Sequence, residues 1–577
     1  MGVPGFFMWL WKRYKGTNFV FDKSKLNKKK DLLLIEKVGS IDYFLIDTNC
    51  MIHPVCFKTL ADHNNITNKQ KLENKMMEEV LLYLEKMIKY VDPKKGVYIA
   101  IDGVAPVAKI KQQRSRRFKS VHDRILWENI KKKHNKEVPN SWNNSAITPG
   151  TEFMRLLNIK ITEWCQKQKL EVIYSSSNTP SEGEHKLLQF IRDNNKENKK
   201  FSYVIYGLDA DLIFLALTTG LKDIFLLREA VHLNKNKSTD VLNYVWMEKM
   251  RESINVTISD LIKINLEKED VSKIVDEDRI INDFIFICYL LGNDFLPHLP
   301  SLDISKNGLD YLIEYYVECL VDSKFKYIID KTNKDMINQD VFDNLINKLA
   351  EDEDSIIMEN YNNKRRKHRS QSSDPYDKEM HKIENLMFKI DDPIKLGSDS
   401  SELWEKRYHK HYFGVEDDYE NFVKEMSKHY MIGLKWVTLY YFDKCASWDW
   451  YFPYDHPPFL KSISKYSKIF KFNKINFELG KPLKPYVQLM CVLPPQSAFL
   501  LPKKLQKPMT NPNSSLAHLY PIDFKQDFIG KSRYWMGIPY LPNLEIELVN
   551  RTFKKYEKIM DKKELFNNRE IDVYRYN

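Results

Sequence analysis

The chain has 577 residues, 43% of them apolar and 13% aromatic, which is enough for a large core and more than one domain and excludes general disorder. A formal net charge of +11 favours a polyanionic partner without requiring one. The seven cysteines are scattered and odd in number, which argues against a disulfide scaffold, and no apolar run approaches the roughly 20 residues that cross a bilayer.

The opening MGVPGFFMWLW is hydrophobic but lacks the basic start and small-residue cleavage site of a signal peptide. Phe6 stands where myristoylation would want Ser or Thr. The expectation is a soluble, intracellular protein with no membrane partner. YFLID (43–47) then reads as a strand, and KLENKMMEEVLLYLEKMIKY (71–90) has helical spacing. VYIAID (97–102) is a second strand, followed by a long basic helix over about 106–133. After Thr148-Pro149-Gly150 comes a helix over 151–168, then strands at LEVIYS (170–175), YVIYGLD (203–209) and DIFLLR (223–228). This alternation predicts an α/β domain: a mostly parallel sheet flanked by helices, with right-handed crossovers.

A further helix over 279–291 ends at Gly292-Asn293-Asp294, and the composition then shifts. Residues 351–374 run from acidic to basic and polar without periodicity, and read as a linker or surface insertion. Within them KRRKHR (364–369) reads as a solvated charge run, with a nuclear signal as the alternative. The chain divides into an N-terminal domain (1–345), a charged linker or insertion (346–380), and a second, largely helical and irregular module (381–577) packed on the first.

Three strands finish in aspartate: Asp47, Asp102 and Asp209. The carboxyl ends of parallel strands form the ligand crevice of such sheets. Asp209 and Asp211 are spaced i, i+2, which in an extended backbone points both to one side. Glu182 and Glu184 share that spacing within SEGEHK, where a helix would turn them about 200° apart, so Glu182 is expected to be non-helical. Asp294 follows a helix, at the negative end of its dipole, and needs a compensating cation. Seven carboxylates at one crevice suit two Mg²⁺ ions, with Mn²⁺ able to substitute, and such a pair assists phosphodiester hydrolysis. Zinc is disfavoured: Cys50, His53 and Cys56 read C-x-x-H-x-x-C, but no second pair of ligands lies nearby. Turn formers and helix caps are the plainer reading of any one of the aspartates.

In AKIKQQRSRRFKS (108–120), Lys109, Gln113, Arg116 and Arg117 fall at i, i+4, i+7 and i+8 on one helical face. Beside the crevice, such a stripe suits a terminal phosphate, and arginine's fork matches its oxygens. His53 lies six residues after Asp47, and WDWYFPY (448–454) offers Trp448 and Trp450 as aromatic partners for a base.

These blocks, together with MGVPGFFMWL, IDTNCMIH, ITPGTEFM, GLDADLIFL and LLGNDFLPHLPSL, resemble the signature stretches of XRN-type 5′→3′ exoribonucleases. LWEKRYHKHYFG, SWDWYFPY and YPIDFKQDFIGK resemble that family's second conserved region, so the resemblance covers most of the chain. It implies a 5′-nuclease (PIN-like) core and a Mg²⁺-dependent, processive enzyme that removes mononucleotides from single-stranded RNA with a 5′ monophosphate. It also implies metal ligands at Asp47, Asp102, Glu182, Glu184, Asp209, Asp211 and Asp294. The phosphate pocket would be Lys109, Gln113, Arg116 and Arg117, and a sandwich of the first base would use His53 with either Trp448 or Trp450. The family usually has Gly where Cys50 stands, and Glu where Met536 follows Trp535. The resemblance ends with the second region, as in a near-minimal member, and a cytoplasmic location is expected, with a nuclear one as the alternative. A flap-type 5′ nuclease acting on DNA would use the same carboxylate logic, and a catalytically silent RNA-binding scaffold is the reading from a different class.

Overall fold

The computed structural model describes residues 5–17, 19–138, 142–229, 241–363, 370 and 372–576. KRRKHR and the first four residues of MGVPGFFMWL lie outside them. The strands are β1 (Val20–Phe21), β2 (Tyr43–Asp47), β3 (Gly96–Ala100), β4 (Glu171–Ser175), β5 (Tyr203–Tyr206), β6 (Ile224–Glu229), β7 (Leu242–Trp246), β8 (Gln526–Asp527), β9 (Ile538–Pro539) and β10 (Tyr574–Tyr576). Eight of them form one sheet in the order β1-β7-β6-β5-β2-β3-β4-β10, and β8 and β9 form a separate ribbon.

The centre of the sheet is parallel, from β6 through β5, β2 and β3 to β4. Its margins, β1 on β7, β7 on β6 and β10 on β4, are antiparallel. Register fixes the site: Asp47 pairs with Ala100, Ala100 with Ser175, and Ile46 with Tyr206. The carboxyl ends of β2, β3, β4 and β5 therefore lie side by side along one edge; β2 ends in Asp47, and each of the other three leads into a loop that carries an acid.

Every residue of β2 is buried, and successive side chains enter opposite layers, as the two-residue period of a strand requires. Tyr43 and Leu45 pack with the helices Gly183–Lys196 and Asp211–Thr218, while Phe44 and Ile46 pack with Lys69–Val91 and Glu152–Cys165. This explains why YFLID reads as a continuous apolar run.

The second module docks on the basic helix, Val107–Lys133. Arg114 is buried on the face away from the site and donates to the Cys491 and Leu519 carbonyls. Lys111 donates to the Phe452 and Tyr454 carbonyls, each at 3.0 Å. Ile110 and Phe118 share a core cluster with Val487, Leu489 and Met490.

Residues 346–380 hold more structure than a linker. Helix Glu353–Asn362 buries Ile356 and Ile357, and the fully buried Glu353 carboxylate accepts from the Leu460 and Lys461 amides at 2.8 and 2.9 Å. One buried acid inside EDEDS leaves no periodic trace in the sequence. Helix Pro375–Glu384 has no buried residue, but its Glu379 pairs with Lys133 and His134 at the far end of the basic helix. Among the described residues no helix is long and apolar enough to cross a membrane.

Candidate active site

Asp47 closes β2, whereas Asp102 and Asp209 lie in the loops beyond β3 and β5. Asp102 is held in place by Asn49, whose Nδ2 donates to Oδ2 at 2.8 Å, and by the Gly183 amide, which donates to Oδ1 at 2.6 Å. Gly183 is needed for space. A Cβ there would stand 2.9 Å from Asp47 Oδ1 and 3.2 Å from Asp102 Oδ1, so the start of helix Gly183–Lys196 is wedged between the two aspartates. Glu182 caps that helix with an extended backbone (φ −70°, ψ 149°), as SEGEHK predicts, and Ser181 before it holds φ at 100°.

The expectation for Asp209 and Asp211 needs correction. Between them Ala210 is helical (φ −68°, ψ −28°), and Asp211 opens a helix, so no extended backbone aligns the two. The chain after Tyr206 turns at once to bury Leu212 under Gly207. Asp211 is buried and Asp209 exposed. Even so, the Asp209 charge helps to raise the Asp47, Glu184 and Asp211 carboxyls, which places it beside all three.

The cluster has two electrostatic halves. Lys109 bridges Glu182 (2.5 Å) and Asp294 (2.7 Å), and Glu182 also accepts from the Tyr440 hydroxyl at 2.7 Å. Burial alone would raise the Asp294 carboxyl, but the Lys109 ammonium overrides it and holds it well below the usual range. Burial would likewise lower Lys109, but Asp294 and Glu182 hold its ammonium well above its ordinary value. The cation that Asp294 needs is therefore part of the chain.

In the other half Lys109 acts on Glu184 and Asp211 only as an opposing influence that does not override burial and like charge. Burial, then Asp102, pushes Asp47 up to about 8, although Cys50 Sγ donates to its Oδ2 at 3.0 Å. Burial, then Asp211, pushes Glu184 well above its ordinary value, and burial, then Asp294, pushes Asp211 up to about 6. Asp47 Oδ1 and Glu184 Oε2 are buried without a hydrogen-bond partner. Buried acceptors cost free energy when left unmade, and the ligand atoms these acids offer are carboxylate oxygens. Both facts fit hard divalent cations such as Mg²⁺ or Mn²⁺.

The basic stripe adjoins the cluster. Lys109 reaches into it, and the half-buried Arg117, lowered to about 9 by desolvation and then by Arg116, feels Asp102 as the opposing influence. Arg116 is exposed, and Gln113 Oε1 is buried without a partner. His53 is lowered to about 4 by burial, then by Arg116 and Arg117, so its ring is neutral and beside both.

The two tryptophans separate cleanly. Trp450 stacks on Trp436 (5.0 Å, 28°), which stacks on Tyr440 (4.7 Å), which faces the His185 ring at 3.7 Å. Trp450 thus belongs to a packed aromatic column. Trp448 is half-buried, and its carbonyl accepts from the Val107 amide at the first turn of the basic helix.

Sequence reasoning missed Tyr440, Asn49 and the column itself, because GLKWVTLYYF carries aromatics at helical spacing and reads as core. It also placed His185 only at the start of a helix. His185 is in that helix, and its ring nitrogen, Glu182 and Glu184 offer ligand atoms within 4.8 Å of one another. Of the C-x-x-H-x-x-C residues, Cys56 is buried and the Cys50 thiol donates to Asp47 Oδ2.

Comparison with known proteins accounts for nearly the whole chain. The description "XRN 5'-3' exonuclease N-terminus" matches residues 1–230, and "Xrn1 helical domain" matches 274–394 and 377–574. The 5'-3' exoribonuclease 2 of Debaryomyces hansenii is 29% identical over 97% of this chain and 70% of its own length. The 5'-3' exoribonuclease 2 of Candida albicans is 28% identical over the full chain and 74% of its own. The human 5'-3' exoribonuclease 1 is 31% identical over 97% of this chain, which spans only 35% of that protein. With its sheet, its helical second module and both conserved regions matched, the chain belongs to the XRN 5'-3' exonuclease family.

Proposed function

We propose that the protein is a processive 5′→3′ exoribonuclease that hydrolyses single-stranded RNA bearing a 5′ monophosphate to nucleoside monophosphates. The observation that carries this reading is the contact between the basic helix and the carboxylate cluster. One helical face holds Lys109 among the acids and, two turns on, Arg116 and Arg117 beside a neutral His53. A terminal phosphate on that face puts the first phosphodiester at the cluster, so the cut falls one nucleotide in.

Asp47, Asp102, Glu182, Glu184, Asp209, Asp211 and Asp294 would hold two Mg²⁺ ions, which when bound supply an activated water and charge relief for the departing 3′ oxygen. The chain's own residues do the rest. Asn49 and the Gly183 amide hold Asp102 in place. Lys109 bridges Glu182 and Asp294 and holds the Asp294 carboxyl well below its ordinary value. Gln113, Arg116 and Arg117 supply the donors for the terminal phosphate, with arginine's fork fitting its oxygens. His53 and Trp448 flank the first base by stacking, which reads no base edges and leaves the enzyme indifferent to sequence. Trp450 is committed to Trp436 and takes no part. After each cut the strand advances one nucleotide to refill the phosphate site.

The test offers Mg²⁺ and matched RNAs with 5′-monophosphate, 5′-triphosphate, capped or 5′-hydroxyl ends. Mononucleotides are expected mainly from the monophosphate, and Arg116→Ala should erode that preference about tenfold, the worth of a charge-assisted hydrogen bond. Internal cuts, or preference for flapped DNA, would overturn the assignment.

A further inference from the structure

A cavity of about 850 Å³ runs along the exposed side of the basic helix, from Ala108 to Lys131, a length of about 35 Å at the helical rise. It touches the site at Asp294 and Arg116, passes Ser120 and Arg124, and ends among Trp127 and Trp535. Helix Thr48–Asp62 walls one side with Phe57, one turn beyond His53. The cavity thus begins where the terminal phosphate would sit and leads away from the carboxylates.

On the processive reading above, that direction has a consequence. The RNA body lies on the far side of the carboxylates from the terminal phosphate. A strand that stays bound after a cut keeps the entrance filled, while the cleaved nucleotide sits ahead of it against Arg116. It needs a second opening, and the cavity provides one at the correct end.

We propose that this groove is the exit route of the nucleoside 5′-monophosphate released in each cycle. Its volume is within the range of small-molecule sites. Trp535, 58% exposed at the mouth, offers a stacking face of a kind rarely left open to water. Trp127 is fixed edge-on against Tyr534 at 5.3 Å. Arg124 is held only loosely, 3.9 Å from Glu128, and is available to a phosphate. Asp123 and Glu128 interrupt the positive charge along the wall, which keeps affinity low and suits passage over retention.

The test compares single-turnover first cleavage with steady-state release, using the full chain, Mg²⁺ and 5′-monophosphorylated RNA. Ser120→Trp plugs the groove from an exposed position, and Trp535→Ala removes the mouth platform. Both should leave first cleavage unchanged and slow steady-state turnover about fivefold or more, as expected when product release becomes limiting. AMP added as inhibitor should bind Trp535→Ala more weakly than wild type. Unchanged turnover and AMP inhibition in both variants would overturn the exit route. So would a loss of RNA affinity that grows with RNA length, since the strand itself would then occupy the groove. Wild-type protein that releases no mononucleotides would overturn the nuclease reading instead, so the two failures are distinguishable.

Discussion

The Glu182–Asp294 half and the Asp47–Glu184–Asp211 half of the cluster are equally buried acids with opposite electrostatics. In the first, Lys109 supplies the counter-charge to both carboxylates from within the fold and holds Asp294 well below its ordinary value. In the second, burial and like charges raise every carboxyl, and two oxygens have no partner. The fold completes one half and leaves the other to a ligand. A resident lysine makes the site cheaper to assemble, and on the proposed reading the deficit in the other half is what would attract cations.

The sharpest way to break this contrast is to neutralise one acid in each half. Asp47→Asn and Glu182→Gln should each reduce RNA cleavage on the order of 10³-fold, because both alter the cation site. Their effects on the ion-free protein should be opposite. Asp47→Asn removes the cost of burying a repelled acid, which must take up a proton on folding, and should raise the thermal midpoint in EDTA, whereas Glu182→Gln removes a Lys109 partner and should lower it. Midpoints that move in the same direction would refute the two-halves description. A second substitution acts on the lysine. Lys109→Met leaves Glu182 and Asp294 buried and uncompensated, at a cost of about 3–5 kcal/mol in denaturant unfolding. Added Mg²⁺ should recover part of that loss, and no loss at all would mean that the lysine is not the internal counter-charge.

Much of this site was legible beforehand for a physical reason. Asp47 ends a strand, and Asp102 and the SEGEHK pair follow strands, whose apolar runs announce themselves; parallel register brings those strand ends to one edge. The need of Asp294 for a cation followed from the helix before it. What was hidden depends on tertiary contact. The tight wedge of Gly183 between two aspartates, the Tyr440 hydroxyl on Glu182 and the burial of Glu353 each join segments far apart in sequence. The antiparallel partner β10, three residues near the end of the chain, closes the sheet beside β4, and nothing in YRY marks it as a strand. Asp209 and Asp211 misled because period-two spacing is informative only where the backbone is extended, and there it turns.

The contrast also predicts a pH dependence. With its folded value near 8, Asp47 takes up a proton on folding anywhere between about pH 4 and 8. Its contribution to stability is present at low pH and lost as pH rises through the folded value. Buried histidines with lowered values, such as His53 at about 4 and His456 at about 3, act in the opposite sense below pH 6.5. The difference between wild type and Asp47→Asn cancels them. In EDTA the advantage of Asp47→Asn should grow from pH 6.5 to 8, by at most about 1.4 kcal/mol per pH unit. Saturating Mg²⁺ should abolish the trend, and a pH-independent difference would show that Asp47 is already ionised without a cation.

The smallest expected effect concerns Cys50, where the family usually has Gly. Its thiol donates to Asp47 Oδ2, a side-chain contact that favours the charged form of that carboxylate. Burial, reinforced by Asp47 and Asp209, holds the thiol well above its ordinary value, so it stays a donor and does not become a further anion in the cluster. Cys50→Ala should therefore raise Asp47 slightly further and weaken Mg²⁺ binding about threefold at neutral pH, the scale of one weak hydrogen bond. Cleavage at saturating Mg²⁺ should be unchanged, because the thiol adjusts the proton affinity of a ligand without being one. If the variant instead lost cleavage at every Mg²⁺ concentration, Cys50 would have to act on the ion directly, and the second half of the cluster would then rest on more than carboxylate oxygens.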